Sequence, residues 1–244
     1  MERFTPPPST PAARLKGGLS TLITALEKKL ILGTIKLNSP VISLKAVDRD
    51  IAVHTKEKNY VADIVINTLP PRVAIDTIHY QPPLPTALHQ KLSETPTWMG
   101  YATKCVIVFE RDFWREDGLS GFCFSHVGPL SELHDASTQE QAALFGFFHT
   151  RVQHKSEAAV REQIIRLFGN KASPILNIYI VDWSQERYTT TTADKRAPSN
   201  YPHYGYTLMA YNERVHFCGS ESSINEGGYL EGAIRAVQTL CSRL

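Results

Sequence analysis

The feature that most constrains this chain is its C-terminal end, where a short strand runs into glycines and then into a helix. Val215-His216-Phe217-Cys218 reads as the strand, Gly219 to Ser223 and Gly227-Gly228 as the loop, and Gly228 to Arg243 as the helix. Glycines at a helix mouth let backbone approach a ligand closely. The first amides of a helix lack intrahelical partners, and the dipole is positive there. Both features suit an anionic or electron-rich group, such as a pyrophosphate or a reduced ring system. The alternative left open by these residues is an ordinary strand-turn-helix with glycines in the turn.

Residues 1–11 form a Pro-rich leader, read as irregular or extended. Ser20 is the expected N-cap of a helix carrying Leu22, Ile23, Leu26 and Leu30 at helical spacing, with Lys28 and Lys29 near its end. A β-rich stretch follows: Ile35 to Leu37, Val41 to Leu44 and Ile51 to Thr55, with Asp48-Arg49-Asp50 as a turn and Lys56-Glu57-Lys58 as a solvated hairpin tip. Val61 to Asn67 is almost continuously apolar, which suits one strand covered on both faces, ended by Pro70-Pro71. Further on, the pattern predicts a helix over 86–92, strands over 104–110 and 143–149, an amphipathic helix over 156–168 and a strand over 175–181. Residues 184–214 are polar, turn-rich and tyrosine-rich.

Lys plus Arg number 26 against 24 Asp plus Glu, so no basic excess argues for nucleic acid. No apolar run is long enough for a membrane-spanning helix, and no signal peptide is visible. The four cysteines are widely spaced and read as reduced, mostly buried thiols, with a cytoplasmic setting as the default. The nine histidines show no metal-ligand spacing, so no metal site is expected. Ser20 and Ser220 lack the G-x-S-x-G elbow of a hydrolase.

Five segments, in order, resemble the monoamine oxidase family of flavin-containing amine oxidases. Gly219-Ser220-Glu221-Ser222 with Gly228-Tyr229-Leu230-Glu231-Gly232-Ala233 is similar to its G-T-E-T and G-Y-M-E-G-A motif. Ile78, Tyr80-Gln81-Pro82-Pro83-Leu84-Pro85, Lys104-Cys105 and Phe113-Trp114 resemble its I-x-F-x-P-P-L-P, strand-opening lysine and F-W. Gly17-Gly18-Leu19, Pro40-Val41-Ile42 and Asp182-Trp183 with Glu186 and Tyr188 complete the series.

The resemblance implies a mixed α/β fold: the remainder of a flavin-binding sheet-and-helix domain, residues 12–93 and 186–244, plus half of a β-rich substrate domain, residues 94–185. It implies FAD as cofactor, with a small-molecule amine and O2 as partners. By resemblance, Lys104 holds a water against the flavin, Tyr229 is one wall of an aromatic cage for the substrate amine, and Phe147 lines the substrate cavity. Flavin contacts fall to Gly17, Gly18, Val41, Trp183, Gly219, Ser220, Glu221, Gly228, Tyr229 and Leu230. Without the resemblance, Lys104 reads as a surface lysine, and Trp183 and Tyr229 as packing aromatics.

The departures carry expectations too. Thr189 to Ala193 stands where covalent members place a cysteine and the second cage tyrosine, so the flavin is expected to be non-covalent. Tyr201, Tyr204 or Tyr206 would have to replace the lost wall, and Glu226 stands where the family has tryptophan. No G-x-G-x-x-G loop occurs. The chain therefore reads as the later part of the fold, a fragment or a subunit whose open strands beside Val61 to Asn67 and Val215 to Cys218 await completion. The competing reading is a non-catalytic module that holds no flavin alone.

Overall fold

A computed structural model describes residues 15–206 and 208–244, so the leader lies outside the described residues. The chain divides between Ser39 and Pro40 into two units. In the first, α1 (Leu19–Glu27) follows Gly18, which takes a positive φ and occupies the N-cap. Ser20, the expected cap, lies inside the helix. Thr21 instead donates its hydroxyl to the Gly18 carbonyl at 2.7 Å. Ile35 to Leu37 is not a strand but an irregular stretch ending in a turn.

The second unit contains three sheets. One has the order β3-β2-β1-β5, formed by β1 (Val41–Val47), β2 (Asp50–Thr55), β3 (Asn59–Ala62) and β5 (His79–Gln81). β1 and β2 form a hairpin whose turn Asp48 takes at positive φ, and the exposed Lys56 to Lys58 stretch links β2 to β3. The expected strand over Val61 to Asn67 is divided between two sheets. Asp63 breaks the apolar run, and β4 (Val65–Asn67) leaves to pair in parallel with β12 (Val215–Phe217), which is also paired with β11 (Leu208–Ala210). β4 is thus an edge strand, β12 is central, and Val61 and Ile66 are exposed rather than covered. Pro71 does more than stop the ladder: it opens α2 (Pro71–Thr77) at N1, where a missing amide costs nothing. α3 (Thr86–Glu94) follows, and its Leu92 is buried with Leu44, Ile51, Ala74, Tyr80, Val215 and Phe217 in one core.

A separate core is built from residues 105–178. Here β10 (Ile175–Asp182), β6 (Thr103–Phe109), β9 (Ala142–Phe148), β8 (Leu130–Asp135) and β7 (Cys123–Phe124) form an antiparallel sheet in that order. Its inner face packs Cys105, Ile107 and Leu144 with Val160 and Ile164 of α5 (Glu157–Phe168) and with Phe113 and Trp114 of α4 (Phe113–Glu116). Ser156 caps α5 by accepting the Ala159 amide, and Gly169 ends it at positive φ. The helix face holds one polar residue that hydrophobic spacing does not foresee. Gln163, fully buried, accepts from the Leu130 amide and donates to the Leu130 carbonyl, both at 2.8 Å, and so clamps the start of β8. The last helix, α6 (Leu230–Cys241), buries Gly232, Ala236 and Leu240.

Two consequences follow for stability. A Cβ added at Gly146 would stand 2.5 Å from the Glu132 carbonyl oxygen, so Gly146→Ala must push β9 from β8 and is expected to cost about 1–3 kcal/mol in urea unfolding. Burial works to raise the Asp135 carboxyl, but hydrogen bonds from Arg115 at 2.6 Å and Trp114 at 3.0 Å hold it at about 2. A depressed carboxyl stabilises the fold above its unfolded pKa and loses that contribution as pH falls toward 2. Asp135→Asn is therefore expected to flatten the stability loss between about pH 4 and 2, read by Trp fluorescence.

Candidate functional site

The mouth of α6 is assembled from the loop after β12. Gly219 leads into a single 3-10 turn, Ser220 to Ser222, which turns Glu221 inward. Glu221 is buried, accepts a hydrogen bond from the Ser220 hydroxyl at 3.0 Å and has no ion-pair partner among the described residues. Burial first, then the nearby Asp194 charge, lifts its carboxyl above the usual range, against the hydrogen bonds it receives. Gly228 takes a positive φ, and a Cβ there would meet the Trp98 side chain at 2.9 Å. Tyr229 occupies the N-cap without a side-chain cap bond, so the first turn of α6 is left uncapped while Tyr229 and Leu230 are exposed.

Aromatic rings surround this mouth. Trp98 and Tyr201 meet edge to face, 4.6 Å between centroids, and the Tyr201 hydroxyl donates to the Gly227 carbonyl. The Tyr204 hydroxyl donates to the Pro96 carbonyl at 2.8 Å. Tyr201 and Tyr204, two of the three considered for the missing wall, therefore both stand at the mouth. Trp98 was not foreseen, because nothing local marks it; only long-range contact does.

Beneath them lies a buried carboxylate, Asp194, equally invisible in the sequence. Its side chain accepts from Arg72 Nη1 at 2.6 Å, the Thr97 amide at 3.1 Å, and the Thr191 hydroxyl and amide at 2.8 and 3.2 Å. Arg72 Nε donates in turn to the Ser93 carbonyl at 2.7 Å. The pair thus pins α2, the segment after α3 and the short helix Thr192–Lys195 together.

The second group of predicted residues lies on the five-stranded sheet. Its strand registers place Val181, Lys104, Phe147, Glu132 and Phe124 in one cross-strand row on the face opposite the core. The Lys104 ammonium sits 4.9 Å from the Phe145 ring centroid and 5.4 Å from that of Phe147. Phe145 stacks on His134 at 4.8 Å, and Phe122 meets both His134 and Phe124 at 4.9 Å. Lys104 is therefore held on an aromatic surface without a carboxylate partner among the described residues. Trp183 follows the strand that pairs with Lys104, and its amide donates to the Ala102 carbonyl at 3.0 Å.

Two sets of predicted residues are thus brought together: Gly219, Ser220, Glu221, Gly228, Tyr229 and Leu230 at the helix mouth, and Lys104, Phe147 and Trp183 at one end of the sheet. Residues 96–102, with Trp98 at one end and Ala102 beside Trp183 at the other, join them. Val41 lies on a separate cavity of about 260 Å³ with Leu44, Val65 and Asn67. Gly17 and Gly18, both at positive φ, belong to the first unit.

Residues 4–243 match the family of flavin containing amine oxidoreductases. The chain belongs to this family. Among its relatives, flavin-containing amine oxidase B of Sus scrofa is 26% identical over 234 residues, covering 90% of this chain and 44% of that protein. A probable flavin-containing monoamine oxidase A of Dictyostelium discoideum is 26% identical, covering 91% of this chain and 51% of that protein. An L-amino acid dehydrogenase of Synechocystis sp. is 27% identical, covering 83% and 45%. Putrescine oxidase bound to putrescine superposes with a TM-score of 0.73 at 24% identity, over 93% of this chain and 53% of that one. Cyclohexylamine oxidase from Brevibacterium oxydans gives 0.70 at 23%, over 85% and 48%. These two structures show the shared fold, a mixed helix-and-sheet half of an amine oxidase. The chain spans about half the length of the relatives it matches. Among the described residues no helix is long and apolar enough to cross a membrane.

In this member of the family, loss of Asp194 would disturb several segments of the site at once. Asp194→Ala leaves Arg72 half-buried without its partner and frees the Thr97 amide. It is expected to cost about 3–5 kcal/mol in urea unfolding, since one member of a buried pair is left uncompensated.

Proposed function

We propose that this chain supplies the later, flavin-facing and substrate-facing portions of an FAD-dependent amine oxidase. Residues 12–93 and 186–244 serve the flavin and residues 94–185 the substrate, a division supported by two cores drawn from separate stretches of chain. When bound, FAD supplies the redox chemistry: a hydride equivalent leaves the amine carbon for the flavin, giving an imine, and O2 restores the flavin with formation of H2O2.

The uncapped mouth of α6, with Glu221 buried beside it, carries this reading. Its free first-turn amides suit an electron-rich ring or phosphate, and a buried carboxylate without a cation suits hydroxyl donors. Gly219, Ser220, Glu221, Gly228 and Leu230 would hold the cofactor there, with Trp183 as a further contact and Val41 at the adenine end. Tyr229 orients the substrate amine, and Phe147 walls its cavity. Lys104 holds a water at its ammonium, where the aromatic face offers that charge no carboxylate. Thr189 to Ala193 offers no thiol, so binding is non-covalent. The free thiols of all four cysteines fit a reducing, cytoplasmic setting.

The open edge of β4 favours a second component. Unpaired strand edges invite a further strand, and a polypeptide carrying the remainder of the relatives' fold would complete the flavin site. The second reading is a module that holds no flavin without that component.

The test is the visible spectrum of the purified chain after incubation with FAD and desalting. Oxidised-flavin bands that survive desalting and are released by acid denaturation are expected if the chain holds FAD non-covalently on its own. A colourless protein rejects binding by the chain alone and directs the same assay to the chain mixed with the remaining half.

A further inference from the structure

A cavity of about 560 Å³ opens where β6, β8 and β9 meet the segment after Asp194. Phe147 and Phe148 form part of its apolar wall, while Lys155, Lys195 and Arg196 line it as cations. Three cations on one cavity call for an account of their counter-charges. Lys155 is already committed to Asp182 at 2.6 Å, and the other Asp182 oxygen accepts from the Ser184 hydroxyl at 2.7 Å. Lys195 and Arg196 have no ion pair or hydrogen bond among the described residues. Glu132 is the only carboxylate on the lining, and it lies 3.7 Å from His134 rather than against either cation.

These two cations do not sit on a loose loop. Asp194, immediately before them, is fixed by four hydrogen bonds from Arg72, Thr97 and Thr191. The Thr191 hydroxyl and Asp194 carboxylate also close a reciprocal cap over this turn. Lys195 and Arg196 therefore leave a rigid anchor at the rim of a cavity that shares Phe147 with the proposed substrate wall. A guanidinium beside an apolar wall matches the planar geometry of a carboxylate and binds it with paired N–H donors.

We infer that this cavity takes the carboxylate of an amino acid, with Arg196 and Lys195 as the carboxylate-binding residues, so that the substrate class is an amino acid rather than a simple amine. This deepens the oxidase reading and rests on it for the fate of the ligand. The apolar wall places the side chain on Phe147, and Glu132 keeps the cavity from being purely cationic, favouring a zwitterion over a dianion.

Calorimetric titration of the full chain with L-phenylalanine and with 2-phenylethylamine, which differ only in the carboxylate, tests it without flavin. L-Phenylalanine is expected to bind at least about tenfold tighter than the amine, the worth of one charge-assisted pair. The K195A/R196A double variant, both positions being exposed, is expected to keep the wild-type melting temperature and lose that preference, while Arg196→Lys keeps part of it. Equal binding of the two ligands, no binding of phenylalanine at millimolar concentration, or an unaltered preference in the double variant overturns the inference. Failure of the chain mixed with the remaining half to retain flavin, with the preference intact, would instead reject the oxidase reading and leave the carboxylate site standing.

Discussion

The Arg72–Asp194 pair is the interaction on which the arrangement of the site depends. It joins residues far apart in sequence, and each partner has a further duty: Arg72 holds the Ser93 carbonyl, and Asp194 holds the Thr97 amide and closes the Thr191 cap. Through Thr97 it sets the segment that carries Trp98 to the mouth of α6 and then enters β6 at Lys104. Through its own turn it sets Lys195 and Arg196 at the rim of the larger cavity. A buried ion pair of this kind contributes little net stability compared with an apolar contact, but it tolerates few alternative geometries. Its value here is positional.

The antiparallel sheet shows how one strand serves two purposes. Side chains alternate along β6, so Cys105 and Ile107 enter the core while Lys104 faces the aromatic row. Because each strand alternates in register with its neighbours, the row of Val181, Lys104, Phe147, Glu132 and Phe124 is a product of pairing and not of any local motif. A shift of one residue in β6 would exchange Lys104 for Cys105 and destroy both faces together.

Much of this was legible in the sequence. The regular elements β6, β9, β10 and α5 stand within a residue or two of expectation, because branched or Phe-rich apolar runs and a Ser cap specify them locally. The strand, glycine loop and helix at the C-terminus were equally clear. Short strands were not: β5, β7 and β8 depend on partners elsewhere in the chain, and β11 lies in a stretch read as turns. Val61 to Asn67 misled for the same reason, since an apolar run says nothing about which sheet each half will join. Ser20 lost its capping position because Gly18, free to take positive φ, ends the preceding turn two residues earlier. The site followed this division. Glycines and Lys104 were marked by motif, whereas Trp98, Asp194 and Arg72 act only through distant contacts.

The pairing of β4 with β12 also has a bearing on how the chain is made. The core around Cys105 and Ile164 is drawn from residues 105–178 and can close as soon as those have left the ribosome. The other core adds Ala210, Val215 and Phe217 to residues 44–92, so it is complete only when residues near the C-terminus have emerged. At ordinary translation rates that wait is on the order of ten seconds. During it, the part of this core that Ala210, Val215 and Phe217 cover stays exposed. The portion proposed to serve the flavin is thus the later of the two cores to close, and the longer exposed to chaperones and proteases during synthesis.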